Sequence, residues 1–441
     1  MKPRYFCLIA MVLLSGCRNN LDENYFLIKG GTLLNFSQLG QSTEDLDSIY
    51  VLISGDKIEK VGRLGDEFVF PKDSKIIDAT GKYLIPGLID GFAVINNQSY
   101  ANAFLYMGIT SVIGVDGGRR GPFFDAANPS PDVYMLESVG DDPKSTSEHL
   151  ADVQVLYDKG YRVILLKYAL KPDQVEAVKN KAHELGMGCI GELGRTSYKE
   201  GIEKGIEVFV HSTRYSLDAV PDDIARAVAN EPFSDDLESP KWQYYKYLYS
   251  MDLASPKLND HAGVLGKSST FIMPTFSLLY LDQPFHSNPW EYPVASILNE
   301  ADINSPADKI TGNHTYDSIV QKNYTSLAIQ VLKIEKKYKE HGAKYLAGSA
   351  TDVWGTMPGI SLHTELEQLS RIGLSNREVI ASATTNFQNA FGWKTGKIEK
   401  GFAANILILN DNPIHNLEAL TNIHAILLNG KLIDREKLLQ D

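Results

Sequence analysis

The chain has 441 residues, of which 43% are hydrophobic and 22% are charged, and its formal net charge at pH 7 is -12. This length exceeds one average domain, and the composition is that of a globular protein with a sizeable core. The negative charge, which no local cluster of Lys and Arg offsets, argues against nucleic acid as a partner. The sequence therefore predicts a globular protein that does not bind nucleic acid.

The first residues predict a targeting segment that is not part of the fold. Lys2 and Arg4 form a short basic region, and residues 5–14 are an apolar run too short to span a membrane as a mature helix. The sequence Leu-Ser-Gly-Cys that ends at Cys17 resembles a bacterial lipobox, in which the cysteine is lipidated; a plain signal peptide with an incidental cysteine is the alternative. We expect lipid on Cys17 to anchor the protein to a membrane of the bacterial cell envelope, since each buried CH₂ contributes about 0.8 kcal/mol. Cys189 is then left without a disulfide partner.

Both ends of the chain predict short β-strands. Residues 25–85 contain strand-like runs separated by glycine turns, and residues 404–409 and 423–431 are similar in character. Because these segments flank a long α/β stretch, we expect residues 18–85 and 397–441 to form one small β-sandwich domain.

The middle of the chain predicts an α/β fold. Strand-like runs alternate there with helical ones such as residues 171–185, which is typical of βαβ units and a parallel sheet. Eight strands within residues 86–396 fit a (β/α)₈ TIM-like barrel, with irregular insertions near residues 231–266 and 283–313. The candidate strands are residues 86–94, 109–116, 132–137, 162–168, 187–193, 206–212, 270–277 and 343–350.

Six segments are distinctive in their order along the chain: Pro-Gly-Leu-Ile-Asp at residues 86–90, and then residues 108–112, 182–187, 358–366, 383–386 and 396–401. Together they resemble the amidohydrolase superfamily and in particular its imidazolonepropionase and Xaa-Pro dipeptidase-like branch. Residues 86–90 resemble the entry to the family's first barrel strand, and residues 358–366 resemble the segment after its eighth. The resemblance implies a hydrolase of carbon–nitrogen bonds in dipeptides or non-peptide substrates. It also implies one or two divalent metals at the C-terminal ends of the strands, which supply hydroxide and polarise the scissile carbonyl.

Three positions at which the family has metal ligands are apolar in this sequence. The family's first strand ends in His-x-His, whereas this chain has Phe92 and Val94, and alternation along a strand would direct both into the barrel. Counting back from residues 358–359 places Ala350 where the family has its catalytic Asp on strand 8. The sequence therefore predicts that no binuclear metal centre forms.

Polar residues occupy or replace the remaining ligand positions. Lys167 matches the carboxylated lysine of strand 4, and His211 matches the histidine of strand 6. Glu192 stands where strand 5 has a histidine. Asp352 replaces the lost catalytic Asp only if the end of strand 8 has slipped by two residues. The alternatives are an ion pair between Lys167 and Glu192, and a hydrogen-bonded core position for His211.

Three functions stay open. The first is a carbon–nitrogen hydrolase with one metal, such as zinc, held by Glu192 and His211, either alone or together with Asp352. The second is a lipoprotein that binds a ligand without hydrolysis and without a cofactor. The third is metal-free chemistry with Lys167 as nucleophile or base.

Further residues suggest a small-molecule or peptide-like ligand. Arg195 and His363 lie near the predicted active face, and in related enzymes such groups bind a substrate carboxylate. Aromatic residues of the first insertion either line the mouth of the site or pack at the surface: Trp242, Tyr244, Tyr245, Tyr247 and Tyr249.

Overall fold

The structure is a computed structural model that describes residues 25–440 apart from residues 117–123, 233, 235 and 315–317. Cys17 lies outside the described residues. The N-terminal segment consists mainly of strands: β1 (Tyr25–Lys29), β2 (Thr32–Leu33), β3 (Leu46–Asp47), β4 (Ile49–Ser54), β5 (Lys57–Arg63), β6 (Lys75–Asp78) and β7 (Tyr83–Pro86).

The central sheet contains eight strands that pair in chain order, and every adjacent pair is parallel. The N–H of Gly91 in the first strand donates to the carbonyl of Ala347, which follows the eighth, at 3.0 Å. This arrangement is consistent with a (β/α)₈ barrel, so the predicted fold class is confirmed. The strands are β8 (Leu88–Ala93), β9 (Ile109–Val115), β10 (Asp132–Val139), β11 (Val163–Leu166), β12 (Gly188–Gly191), β13 (Val208–Val210), β14 (Phe271–Met273) and β15 (Lys344–Tyr345).

One face of the central sheet carries a buried apolar core. Side chains alternate between the two faces of a strand, so Ile190 belongs to this core while the adjacent Cys189 packs in the larger core cluster that includes the helices. The inner core is therefore filled with side chains, as in other barrels of this kind. Its buried members are Ile89, Ile113, Leu136, Val163, Leu165, Ile190, Val208, Val210, Phe271, Met273, Leu346 and Phe387.

The last three strands are β16 (Ile406–Leu409), β17 (Ile423–Leu428) and β18 (Lys431–Ile433). β16 pairs antiparallel with β7, so one six-stranded sheet, in the order β18-β17-β16-β7-β2-β3, contains strands from both ends of the chain. A four-stranded sheet, in the order β5-β4-β1-β6, comes from the N-terminal segment alone. The boundaries of the composite β domain stay a prediction.

Among the described residues, helices lie in the connections between the barrel strands other than the one from β9 to β10, and also before and after the barrel. In the described part of the chain, none is long and apolar enough to cross a membrane. The α-helices are α1 (Ser37–Gly40), α2 (Gln98–Tyr106), α3 (Thr146–Asp158), α4 (Pro172–Glu184), α5 (Tyr198–Glu203), α6 (Ser212–Tyr215), α7 (Asp222–Asn230), α8 (Pro240–Tyr249), α9 (Pro256–Lys267), α10 (Ser318–Glu340), α11 (Ile360–Arg371), α12 (Asn376–Ser382) and α13 (Thr385–Phe391). Short 3₁₀ helices lie at Ser216–Ala219, Phe276–Asp282, Pro289–Glu291, Pro293–Ile297, Glu300–Asp302, Leu417–Thr421 and Lys437–Leu439.

The expectation of irregular structure at residues 231–266 is wrong. Helices α8 and α9 occupy most of that stretch. Pro240 and Pro256 stand in the first turn of these helices, where a missing N–H breaks no intrahelical hydrogen bond. Ser239 caps α8 by accepting a hydrogen bond from the N–H of Trp242. The prolines therefore begin helices here and do not interrupt them.

Candidate functional site

The C-terminal ends of strands β11, β12 and β13 bring three charged residues together. Lys167 follows β11, Glu192 follows β12, and Arg214 lies in α6, directly after β13. Nζ of Lys167 is 2.5 Å from Oε2 of Glu192, and Nε of Arg214 is 3.1 Å from Oε1. Lys167 and Glu192 are only 7% and 5% exposed. In this group, which we call the ion triad, each oxygen of the carboxylate is paired with its own cation.

The ion triad keeps Glu192 ionised although the residue is buried. Burial by itself raises the pKa of a carboxyl, but the charges of Lys167 and Arg214 outweigh this effect and lower the pKa of Glu192 to about 2. Burial likewise opposes the charge of Arg214, yet Glu192 raises the pKa of the guanidinium above its ordinary value. A metal ion at Glu192 would therefore have to displace one of two cations from a carboxylate that is already neutralised.

His211 lies at the end of β13, close to the ion triad. Its Nδ1 is 2.8 Å from Oγ1 of Thr275, and its ring meets the ring of Phe92 edge to face at a centroid distance of 5.2 Å. Burial lowers the pKa of His211 to about 4, so the imidazole is neutral at pH 7. Phe92 thus places hydrocarbon beside the one histidine that matches a family ligand.

Phe92 and Val94 pack in different places. Phe92 packs against the inner core of the central sheet, whereas Val94 packs against the larger core cluster. The pairing of β8 with β9 shifts register between Asp90 and Ala93, which interrupts the regular alternation of side chains along the strand.

The end of the eighth strand carries Ala350 and Asp352. Both are buried, and Ala350 offers no donor atom to a metal. Oδ2 of Asp352 accepts hydrogen bonds from Nδ2 of Asn96 at 2.9 Å and from the hydroxyl of Tyr100 at 2.8 Å. These donors lie just after the first barrel strand and in α2, so they hold the carboxylate towards that side of the barrel.

The residues at the family's ligand positions do not fit a metal centre. The three apolar positions provide no donor atoms, and both oxygens of Glu192 are already paired with cations. In the described part of the chain, Glu192, His211 and Asp352 do not bring three donor atoms within 4.8 Å of one another. A single-metal site of these three residues would need such convergence.

Two cavities that the described residues form beside these side chains are small. A cavity lined by His211, Tyr245 and Trp354 has a volume of about 20 Å³, which is roughly enough for one water molecule. The cleft between Glu192 and Arg214 is smaller still.

The aromatic residues of the first insertion fill part of the space near these small cavities. Trp242, Tyr244 and Tyr245 are buried in the large core cluster, and the ring of Trp242 meets that of Tyr324 in α10 at 5.1 Å. Tyr247 and Tyr249 are partly buried and pack against the same cluster. These side chains mainly hold α8 in the core.

The backbone around the strand ends retains a feature of ligand sites. Four non-glycine residues there have positive φ: His211 at 65°, Thr275 at 54°, Ala350 at 52° and Trp354 at 50°. Each such conformation costs about 1–3 kcal/mol and persists only where its surroundings impose it, most often around functional sites. The backbone at these strand ends is therefore strained although Phe92, Val94 and Ala350 offer no donor atoms to a metal.

The two candidate substrate-binding residues lie apart from the ion triad. Arg195 is exposed and lines a surface cleft together with Lys199 and Lys257. Nε2 of His363 in α11 donates to the carbonyl of Met107 at 2.9 Å, and burial lowers the pKa of His363 to about 4. The structure therefore does not bring either residue to the ion triad.

Sequence reasoning missed Arg214, which completes the ion triad. A signal was available, because a Glu in place of a neutral His adds a buried carboxylate whose two oxygens both need partners, and a lysine paired with one oxygen leaves the other to be satisfied. Arg214 lies three residues after His211, so it is the nearest cation in sequence to the end of strand 6.

Comparison with known proteins agrees with the fold and the strand order. Residues 292–433 match the sequence profile of the amidohydrolase family. The match covers 142 of the 441 residues and ends with strand β18. A comparison with curated proteins found no match.

Solved structures extend the similarity to nearly the whole length of this chain. A Xaa-Pro dipeptidase with methionine bound in its active site has a TM-score of 0.60 and 17% identity, over 93% of this chain and 100% of the other. A bottromycin amidohydrolase has a TM-score of 0.67 and 16% identity, over 94% of this chain and 88% of the other. A molinate hydrolase has a TM-score of 0.62 and 12% identity, over 95% of this chain and 96% of the other. At these identities the three hydrolases show the shared fold, and the predicted resemblance is confirmed.

Proposed function

We propose that this protein keeps the amidohydrolase fold but has lost metal-dependent hydrolysis of carbon–nitrogen bonds at the strand ends. The observation that carries this proposal is the pairing of Glu192 with Lys167 at 2.5 Å and with Arg214 at 3.1 Å. Two fixed cations occupy the carboxylate at the place where the family resemblance implies metal ions. A divalent cation entering there would displace one of them and be repelled by the other.

The presence of Glu192 also argues against a carboxylated Lys167. A carbamate is an anion, and it would repel the carboxylate that now lies 2.5 Å from Nζ. The pairing instead suits a free ammonium. An ammonium has no lone pair, so Lys167 in this state is neither a nucleophile nor a base, which argues against the metal-free chemistry considered above.

The proposal is tested by assaying purified protein on Xaa-Pro dipeptides and N-acyl amino acids. We expect no hydrolysis above the uncatalysed rate, and no increase when Zn²⁺, Mn²⁺ or bicarbonate is added. The protein's circular dichroism spectrum establishes that it is folded in each assay. Metal-stimulated hydrolysis that is lost in His211→Ala would contradict the proposal and support the single-metal hydrolase.

We further propose that lipid on Cys17 holds the protein at a membrane of the bacterial cell envelope. The support is the basic start of the chain, the short apolar run and the Leu-Ser-Gly-Cys sequence. Fatty-acid labelling in a bacterial host tests it: the wild-type chain should be labelled and sediment with membranes, and Cys17→Ser should not be labelled. The lipid anchor would be contradicted if the wild-type chain took up no label and sedimented with membranes to the same extent as Cys17→Ser.

A second candidate function, ligand binding without hydrolysis, is favoured by a cavity of about 470 Å³, a volume typical of small-molecule sites. The cavity lies away from the ion triad, and Leu33, Phe36 and Ile398 are in its wall. Its charged lining residues are of both signs: Lys60, Lys397, Lys400, Glu44 and Glu399. This mixed lining suits a small amphiphile.

Calorimetric titration with N-acyl amino acids of increasing chain length tests this second function. We expect binding to wild-type protein and to Glu192→Gln, and loss of binding when Leu33→Trp fills the cavity. The absence of binding heat with the wild-type chain for every probe would contradict it.

A further inference from the structure

A second cluster of metal-ligating side chains lies at the opposite ends of strands β12 and β13. His183 is in the last turn of α4, Cys189 is in β12, and Glu207 directly precedes β13. Ile190 of β12 pairs with Val208 of β13, so Cys189 and Glu207 are neighbours one residue earlier in the same register. Because Ile190 and Val208 belong to the inner core, alternation directs Cys189 and Glu207 to the other face, towards the helices.

The three side chains converge on one place. One ring nitrogen of His183, Sγ of Cys189 and one carboxylate oxygen of Glu207 all lie within 4.8 Å of one another, and no other set of three such side chains does so among the described residues. Nε2 of His183 is 2.6 Å from Oε1 of Glu207. The second carboxylate oxygen, Oε2, is buried and has no hydrogen-bond partner. The thiol of Cys189 is buried and forms no disulfide.

We propose that His183, Cys189 and Glu207 bind one divalent cation of the zinc type on the helix-facing side of the barrel sheet. Imidazole nitrogen, thiolate sulfur and carboxylate oxygen are the three donor types that zinc takes in proteins, at distances of about 2.0–2.3 Å. His183 is partly exposed, which leaves a fourth position open to water.

A bound cation accounts for a feature that a hydrogen-bonded His–Glu pair does not. It supplies positive charge to the buried carboxylate oxygen that has no hydrogen-bond partner. Cys189 lies beside this carboxylate, and a thiol that coordinates a metal is deprotonated by it.

The position of the site indicates a structural role. A cation held there joins the end of α4 to two adjacent barrel strands. The N-terminal ends of strands in such barrels serve stability, whereas catalysis takes place at the C-terminal ends. We therefore expect zinc to raise the melting temperature without conferring hydrolysis, which keeps this inference independent of the proposed loss of catalysis.

The test is a Co²⁺ titration of the full chain carrying Cys7→Ser and Cys17→Ser, so that Cys189 is the only thiol of the chain's three cysteines. We expect sulfur-to-cobalt charge-transfer absorption in the near ultraviolet that saturates at one equivalent and is abolished by Zn²⁺. The absorption should be lost in Cys189→Ser and His183→Ala and retained in His211→Ala, a matched histidine substitution at the other end of the strands. One equivalent of Zn²⁺ should raise the melting temperature of the parent protein but not of Cys189→Ser.

A second variant covers the case in which Cys189→Ser does not fold. Glu207→Gln preserves the shape of the side chain and is expected to weaken Co²⁺ binding at least tenfold, with the metal-free melting temperature unchanged. Absence of thiolate absorption with excess Co²⁺, its retention in Glu207→Gln at full affinity, or its loss in His211→Ala would overturn the proposal.

Discussion

Strands β12 and β13 carry a glutamate cluster at each end, and the two clusters differ in how the carboxylate is satisfied. At the C-terminal ends, Glu192 has one oxygen on Lys167 and the other on Arg214. At the N-terminal ends, Glu207 has one oxygen on His183 and one buried oxygen with no hydrogen-bond partner. The first carboxylate has no oxygen left for a metal, and the second has one.

On the two proposals above, the type of residue does not by itself decide where a metal binds. Glu192 occupies a family ligand position, but two cations are paired with it. Glu207 occupies no such position, yet it lies next to an imidazole and a thiol. The proposals attribute the choice between the two ends to the number of free donor atoms and to the local charge.

The largest expected effect distinguishes the two glutamates directly. Glu192→Ala removes the buried carboxylate that Lys167 and Arg214 share, and the more exposed Asp141 lies 3.9 Å from Nζ of Lys167, so we expect the free energy of unfolding to fall by about 3–5 kcal/mol. In metal-free buffer, Glu207→Ala removes only a partly exposed pair and should cost less than about 1 kcal/mol. Urea denaturation followed by circular dichroism measures both values.

A charge-free replacement provides the control for this comparison. The triple variant Lys167→Met, Glu192→Leu and Arg214→Met should recover most of the stability lost in Glu192→Ala, because apolar groups can replace a complete buried ion network. Equal losses in the two single glutamate variants would show that Glu192 is not held as a buried charge.

Acid should weaken the ion triad within a defined range of pH. The pKa of Glu192 is lowered from 4.5 to about 2 in the folded protein, so the unfolded chain takes up its proton first as the pH falls. The stabilisation is complete above about pH 4.5, is lost between about pH 4.5 and 2, and amounts to about 3 kcal/mol. The stability difference between wild type and Glu192→Gln, measured from pH 7 down to pH 2, should narrow in that range. A constant difference would contradict the assigned pairing.

Phe92→Ala tests whether the apolar side chain on the first barrel strand keeps water away from His211. It removes the edge-to-face contact with His211, and we expect a loss of about 2 kcal/mol. Water admitted beside the imidazole should raise the pKa of His211 from about 4 towards 6.5, as followed by NMR titration of the ring protons. Val94→Ala is the matched control, since Val94 packs against another cluster and should leave this pKa unchanged. An unchanged pKa in Phe92→Ala would mean that other residues exclude water from His211.

The smallest effect concerns His183. In the presence of a chelator, His183→Ala should differ from wild type by less than about 1 kcal/mol, because its pair with Glu207 is partly exposed. With excess zinc the difference should grow, since only the wild-type site gains binding free energy. Thermal unfolding with chelator and with excess zinc measures the two stability differences. A difference that does not depend on zinc would argue against a metal at the N-terminal ends of β12 and β13.

The fold could be predicted from the sequence because hydrophobic runs and turn residues mark each barrel strand. Each of the eight predicted segments overlaps an observed strand, and the helix predicted at residues 171–185 matches α4. The two helices of the first insertion were missed because Pro240 and Pro256 begin helices, and a proline is read more readily as a helix breaker.

The side-chain clusters at the two ends of the strands could be predicted only in part. An ion pair between Lys167 and Glu192 was among the alternatives, because both residues end neighbouring strands. Arg214 depends on the turn that follows His211, whose φ of 65° is not encoded by residue type. The approach of Cys189 to Glu207 depends on the register between two parallel strands, and sequence periodicity does not specify that register.

The most direct test of the central claim is the metal content of the Cys189→Ser variant expressed with zinc or manganese, since this background removes the cluster at the opposite end. The ion triad predicts no stoichiometric metal, because both oxygens of Glu192 are paired with cations. One or two equivalents of metal that disappear on adding Glu192→Ala or His211→Ala would contradict the account and restore a metal centre at the C-terminal ends of the strands.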